Sequence, residues 1–175
     1  MSRSLILDVD TFKISKLSYN KSKMGLGSSI HIEILYEGAP FFIQFPSCKV
    51  VSIDSTHNKC DIVASFDIDT YFKYYQFLQI FDYQINEYLD KLEITNYNPG
   101  HTETSIIESG FKKTSIYLKI KTTANTKYFD NEKRKIHHYE INVGDTIIPL
   151  LTTKGIFSDS TETNQRWTAK QILKM

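Results

Sequence analysis

The hydrophobic period of this chain is two residues on both sides of a single stretch where it becomes three to four. That contrast limits the fold to strands built around one helix. In SIHIEILYEG, Ile30, Ile32 and Ile34 alternate with His31, Glu33 and Leu35, as a half-buried strand requires. TFKISKLSY reads the same way with one slip. NKSKMGLGSS, with Lys21 and Lys23, reads as a loop. Gly38 and Pro40 supply a turn, and PFFIQF returns as the partner strand of a hairpin. KVVSI and CDIVASF are further short strands, divided by the polar DSTHNK. The period changes at Asp67. Tyr71, Tyr74 or Tyr75, Leu78, Phe81, Ile85, Tyr88 or Leu89, and Leu92 then form one apolar stripe. A helix is expected over about 69–93, roughly six turns, capped by Asp69 or Thr70 and ended by NYNPG, because Pro99 cannot continue it.

Residues 96–110 are the nearest thing to a linker. KTSIYLKIKTT restores the period of two, NTKYFDNEKRK reads as loop, and IHHYEINVGD reads as a strand stopped by Gly144. TIIPLL, a turn at Lys154 and Gly155, and RWTAKQIL complete about nine or ten strands by this pattern. A β-rich α+β domain spanning 1–175, either a small barrel or a sheet pair with one long inserted helix, fits best.

Apolar content of 41% and charged content of 23% are those of a globular chain. The net charge of +1 argues against gripping duplex DNA by phosphates alone. Cys48 and Cys60 make no disulfide framework and point to a reducing compartment. MSRSLILDVD has acids too early for a signal peptide, and no apolar run approaches a membrane span of about 20 residues. The expectation is a soluble intracellular protein with no membrane partner. GLGSS precedes a strand rather than opening a helix, so it is a poor nucleotide loop. No GxxxxGK[ST] or GxSxG occurs, and no acid pair stands out for proton transfer. His57 and Cys60 form the only tight metal-ligand spacing, too little for zinc without a second pair. No cofactor or metal is expected, and an enzyme would need catalytic residues dispersed along the chain.

What remains is positive charge with aromatic rings between. Residues 112–135 carry Lys112, Lys113, Lys119, Lys121, Lys127, Lys133, Arg134 and Lys135 against Asp130 and Glu132 alone. Tyr117, Tyr128 and Phe129 are interleaved. Tyr117, Lys119 and Lys121 share one face of a strand, a ring for a base and ammonium groups for phosphates. On the last strand Arg166, Lys170 and Lys174 take one face, and Trp167, Ala169 and Leu173 the other, so the only tryptophan is expected inside. The nucleic-acid-binding candidates are Tyr117, Tyr128 and Phe129 as stacking rings, with Lys119, Lys121, Arg134, Lys135, Arg166 and Lys170 as phosphate contacts.

The order of these motifs, IHIEILYEGAPFFIQFP, a long helix, SIYLKIK, INVGDTIIPLLTTKGIF and RWTAKQIL, resembles the OB-fold single-stranded-DNA-binding proteins of nucleocytoplasmic large DNA viruses. Gly144, Pro149, Gly155, Trp167 and Gln171 are the most specific part of the match. That family is similar in turn to the replication single-stranded-DNA-binding protein of short-tailed phages. The resemblance implies an OB-like Greek-key barrel with the helix packed against it. It also implies sequence-independent binding of single-stranded DNA in viral replication, recombination or repair. The implied location is the host's viral factory or nucleus, or the virion, with other replication proteins or a second copy as further partners. The phage proteins end in an acidic tail that recruits polymerase, whereas this chain ends QILKM. The competing expectation is a minor capsid or other structural protein of a large virus particle, using a sheet edge or the aromatic helix as its interface.

Overall fold

A computed structural model describes residues 5–25, 27–56 and 59–175. The first four residues, Leu26 of the GLGSS loop and His57 of the histidine–cysteine pair lie outside them. The strands are β1 (Leu5–Leu7), β2 (Leu17–Lys23), β3 (Ile30–Tyr36), β4 (Phe41–Gln44), β5 (Cys48–Thr56) and β6 (Lys59–Asp67). Helix α1 (Phe72–Lys91) follows. Then come β7 (Tyr97–Asn98), β8 (His101–Glu108), β9 (Phe111–Lys121), β10 (Lys127–Phe129), β11 (Lys135–Ile136), β12 (Thr146–Ser158) and β13 (Thr163–Lys174).

Five strands close on themselves. β5 pairs β6, β6 pairs β9, β9 pairs β13, β13 pairs β12, and β12 returns to β5. Every pairing is antiparallel except β9 with β13. In barrel order the strands run first, second, third, fifth, fourth, the Greek-key closure of an OB-like barrel. The expected β-rich α+β barrel with one long helix is therefore the fold. The alternation within each wall strand explains the closure. Cys60, Ile62, Ala64 and Phe66 of β6, and Ile116, Leu118 and Ile120 of β9, point into one interior with Trp167. Closing the sheet also removes the free edges that a flat sheet would leave.

Helix α1 enters between the second and third barrel strands. Asp67 builds its approach, accepting hydrogen bonds from the Thr70 amide at 2.9 Å and hydroxyl at 3.1 Å, which hold its carboxyl below the usual range. The helix then starts at Phe72 without a side-chain cap, so neither Asp69 nor Thr70 plays that part. Phe77, Leu78, Phe81, Ile85 and Leu89 are its buried stripe. Phe81 lies 5.4 Å from Trp167, and Phe77 meets Phe12 edge-on at 4.9 Å. Tyr88 stacks on Tyr19 at 4.1 Å. Asp82 accepts a bond from the Tyr97 hydroxyl and faces His101 Nε2 at 2.9 Å, tying residues 97–101 to the helix.

Several local expectations give way. β3 and β4 are not a hairpin; both run antiparallel to β12, one after the other along its edge. Glu37 and Gly38, both at positive φ, do make a tight turn, closed by an antiparallel bridge between Tyr36 and Ala39, but the pairing goes no further. The supposed linker contains β8, paired with β9 along its whole length. NTKYFDNEKRK is not loop throughout, since β10 lies parallel to β13. IHHYEINVGD is not a strand: Ile136 ends β11, and a 3-10 turn at His138–Glu140 follows. Gly155 does not end a strand. β12 passes straight through it with a bulge, and a Cβ there would collide with the Ile32 carbonyl oxygen. The NKSK segment belongs to β2 rather than to a loop.

Both cysteines are free and buried. Burial pushes the Cys48 thiol up to about 12, while Cys60 lies 3.6 Å from the Tyr128 hydroxyl. Both side chains are shut off from solvent, and a thiolate, which burial disfavours at Cys48, is the reactive form, so neither should be alkylated by iodoacetamide at pH 8 in the folded protein. Mass spectrometry should show both modified only after urea is added. Labelling of Cys48 in the native state would mean that this part of the barrel opens.

Candidate nucleic-acid interface

β13 gathers the charged segments. One of its edges is covered by β12, and along the other lie β7, then β9, then β10, all parallel to it. β9 and β10 thus behave as one interrupted strand, broken at residues 122–126, where the Thr126 hydroxyl donates to the Ala169 carbonyl at 2.7 Å. The two basic stretches, separated by 30 residues in the sequence, become neighbours in one sheet.

On β9 the outward positions are those that alternate with buried Ile116, Leu118 and Ile120. They include Tyr117, Lys119 and Lys121, so the predicted shared face exists. Tyr117 is half-buried, in register with Ser65 of β6 and Thr102 of β8. Lys119 is exposed opposite Val63. Lys121 is opposite Asp61 and ion-paired with it, and on its other side it is level with Thr168 of β13. Further along the same trace, Phe129 is half-buried and outward, between Lys135 of β11 and Leu173.

Tyr128 must be removed from the candidate rings. It alternates with Phe129, is in register with buried Ile172, and is only 6% exposed. Burial, and the contact with Cys60, push its phenol pKa up. Arg134 is exposed but already engaged, with Nε 2.7 Å from Asp130 and Nη1 3.1 Å from Glu132 in its own turn. Lys135 is exposed, and among the described residues it enters no ion pair; the same holds for Lys119, Arg166 and Lys170.

Arg166 and Lys170 lie over rings of β12 and β4, on the side of β13 away from β9. The Arg166 guanidinium lies 4.9 Å from the Phe157 ring centre, and Phe157 stacks on His31 at 4.6 Å. Lys170 Nζ lies 4.7 Å from the Phe42 ring centre. Strict alternation along β13 fails beyond Ala169 because a bulge falls between Ala169 and Gln171. Past it Ile172 turns inward and Leu173 outward, the reverse of the sequence expectation. Lys174 leaves the basic face and bonds Asp145 at 2.9 Å and the Glu140 carbonyl at 2.8 Å. Lys21 and Lys23 also fall away from this surface, since β2 is separated from β13 by β3 and β12.

Sequence reasoning misses the rings of His31 and Phe42, because the β3–β4 region reads as a separate hairpin, and that of Phe157 on β12, because the pairing of β12 with β3 is not legible from period. It also misses Tyr139, 68% exposed and stacked at 5.0 Å on His137, beside an open recess lined by Ser55, Thr56 and His138. OB barrels bind oligonucleotides on their second and third strands and through the first–second and fourth–fifth loops. Here the second and third barrel strands are β6 and β9. The fourth–fifth loop, residues 159–162, carries Asp159 and Glu162, which would repel phosphate.

No protein-family model matches this sequence, and no curated protein matches it. Solved structures do. The single-stranded DNA-binding protein from bacteriophage Enc34 aligns with a TM-score of 0.56 at 11% identity, over 91% of this chain and 89% of that one. A C-terminal truncation of the same protein gives 0.56 at 12% identity, over 86% and 91%. Its complex with ssDNA gives 0.54 at 11% identity, over 91% and 95%. At such identity what is shared is the fold, a closed five-stranded mixed β-barrel with one long helix.

Proposed function

We propose that this protein binds single-stranded DNA without sequence preference, as a non-enzymatic module acting in viral DNA replication, recombination or repair. One observation carries the reading. β9, β13 and β10 bring Tyr117, Lys119, Lys121, Arg166, Lys170, Phe129 and Lys135 onto the outer surface of one barrel sheet. Rings that accept stacked bases beside cations that neutralise phosphates are what a sequence-tolerant single-strand site needs. The Enc34 protein, whose fold this chain shares, is a single-stranded DNA-binding protein and has been solved with ssDNA. A viral factory or nucleus follows as the place of action, with replication proteins or a second copy as further partners.

The test is a fluorescence-anisotropy titration of labelled oligo-dT at two salt concentrations. Saturable binding that weakens as salt rises is expected, because each phosphate contact releases a counterion. Absence of saturable binding at low salt would sink the reading. Tyr117→Ala should weaken binding by about 1–3 kcal/mol, and Tyr117→Phe should restore most of it, since the ring rather than the hydroxyl is what stacks. Tyr128→Phe, by contrast, should leave affinity unchanged.

The reading as a structural component of a virus particle is favoured by one feature. Phe72, Ile80 and Tyr83 leave an apolar outer face on α1. Fixed stoichiometry in purified particles, with no affinity for oligo-dT, would decide for it.

A further inference from the structure

β9 is longer than the barrel needs. β6 covers it only from Ser115 to Lys121. Before Ser115 it continues as a two-stranded arm with β8, in register from Ser105 opposite Thr114 to Glu108 opposite Phe111. Ser109 and Gly110, both at positive φ, close the arm in a tight two-residue turn of the kind that matches strand twist. Nothing in the core requires this arm. Its end is nevertheless apolar: Phe111 is 79% exposed, Ile107 80% and Ile106 53%.

The period of two says where these side chains point. Phe111, Lys113, Ser115, Tyr117, Lys119 and Lys121 occupy one face of β9. That face holds two rings and three ammonium groups, with no acid on its own strand. The neighbouring acids are Glu108, opposite Phe111; Asp67, close enough to Lys113 for their charges to interact; and Asp61, paired with Lys121. Phe111 and Tyr117 are six residues apart, about 20 Å at the strand rise. Lys112 projects on the other face of the same tip, opposite Ile107.

We infer that the β8–β9 arm is the outer end of the DNA track, with Phe111 stacking on a base beyond the one held at Tyr117 and with Lys112 and Lys113 meeting the adjoining phosphates. This rests on the reading that single-stranded DNA runs along β9. Two arguments select a nucleic-acid strand as the occupant. The tip continues the same cationic face without a break. Its three apolar side chains are also far too little for a stable protein contact, which needs about 800 Å² on each partner. A single exposed ring suits a single base.

The test compares wild type, Phe111→Ala and Phe111→Trp on oligo-dT of about 4 and about 16 nucleotides, the span of site sizes for one OB barrel. The ring is at an exposed tip, so all three chains should fold alike. Phe111→Ala should lose about 5- to 100-fold in affinity for the long strand and little for the short one. Phe111→Trp should keep wild-type affinity. Its exposed indole should be quenched when the long strand saturates the protein, against a buried Trp167 that does not respond. Equal affinity of wild type and Phe111→Ala for the long strand would overturn the inference while leaving binding along the barrel intact. Failure of wild type to bind either strand would instead overturn the underlying reading. A concentration-dependent dimer in sedimentation, abolished by Phe111→Ala, would show that a second copy covers the tip and would also overturn it.

Discussion

Trp167→Ala should lower the unfolding free energy by about 3–5 kcal/mol, the cost typical of truncating a large buried aromatic. The loss would be a large share of the 5–15 kcal/mol by which domains are usually stable. The expected readout is a fall in the urea midpoint with little change in slope. Trp167 is 0% exposed and joins parts of the chain that are remote in sequence. Phe45 meets it edge-on at 5.3 Å, and Phe81 of α1 lies 5.4 Å away. Ile120 and Thr153 are its strand neighbours on β9 and β12. Gly100 is packed so closely that a Cβ there would come within 2.6 Å of Cδ1 of the indole. Removing the indole would therefore leave a void bounded by three barrel strands and the helix, and such walls cannot collapse cheaply. Trp167→Phe should cost only about 1–2 kcal/mol, since it leaves a smaller void and removes an indole N–H that finds no acceptor among the described residues. Because this side chain faces inward, Trp167→Phe should bind oligo-dT as the wild type does. An unchanged midpoint in Trp167→Ala would mean that the indole is not the joint between helix and barrel.

The sequence makes the inward turn of Trp167 legible because alternation is a local property. Burial along β6 and β9 follows the same rule, as does the stripe of α1, whose Leu78, Phe81 and Ile85 were all expected on the core side. What sequence patterning could not show was which strands meet. β3, β4 and β5 lie end to end along one edge of β12, and β7, β9 and β10 along one edge of β13. That arrangement depends on chain paths between short strands, which period alone does not encode. Bulges were equally hidden. At Gly155 a turn was expected, yet the chain continues; at Lys170 an extra residue reverses which side chains face outward. Tyr128 failed as a stacking candidate for a related reason. Proximity to lysines in sequence says nothing about face, and its parity with Ile172 places it inside. Phe111 was passed over because residues 96–110 looked like linker, so the turn at Ser109 and Gly110 was not recognised as the tip of a hairpin.

The second large effect concerns charge. Replacing Lys119, Arg166 and Lys170 together with alanine should reduce the dependence of log affinity on log salt by about 2, at about 0.7 per neutralised phosphate for a single strand. Extrapolated from molar salt to 50 mM, that slope amounts to a loss of about 400-fold, which should shrink steadily as salt is raised. These three cations are the informative choice because, among the described residues, none is held in an ion pair. Arg166 and Lys170 do lie over Phe157 and Phe42, but exposed cation–π contacts are each worth only about 0.5–1 kcal/mol. The triple variant should therefore still fold, and its urea midpoint provides the check. Arg134→Ala makes the contrast. Its guanidinium is shared between Asp130 and Glu132, so it has little charge to offer a phosphate, and its removal should change the salt slope by much less than one unit. If the triple variant lost affinity equally at all salt concentrations, the cations would be acting through structure rather than through counterion release. If it lost none, the strand would have to follow another path around the barrel, and the recess beside Tyr139 would be the next surface to mutate.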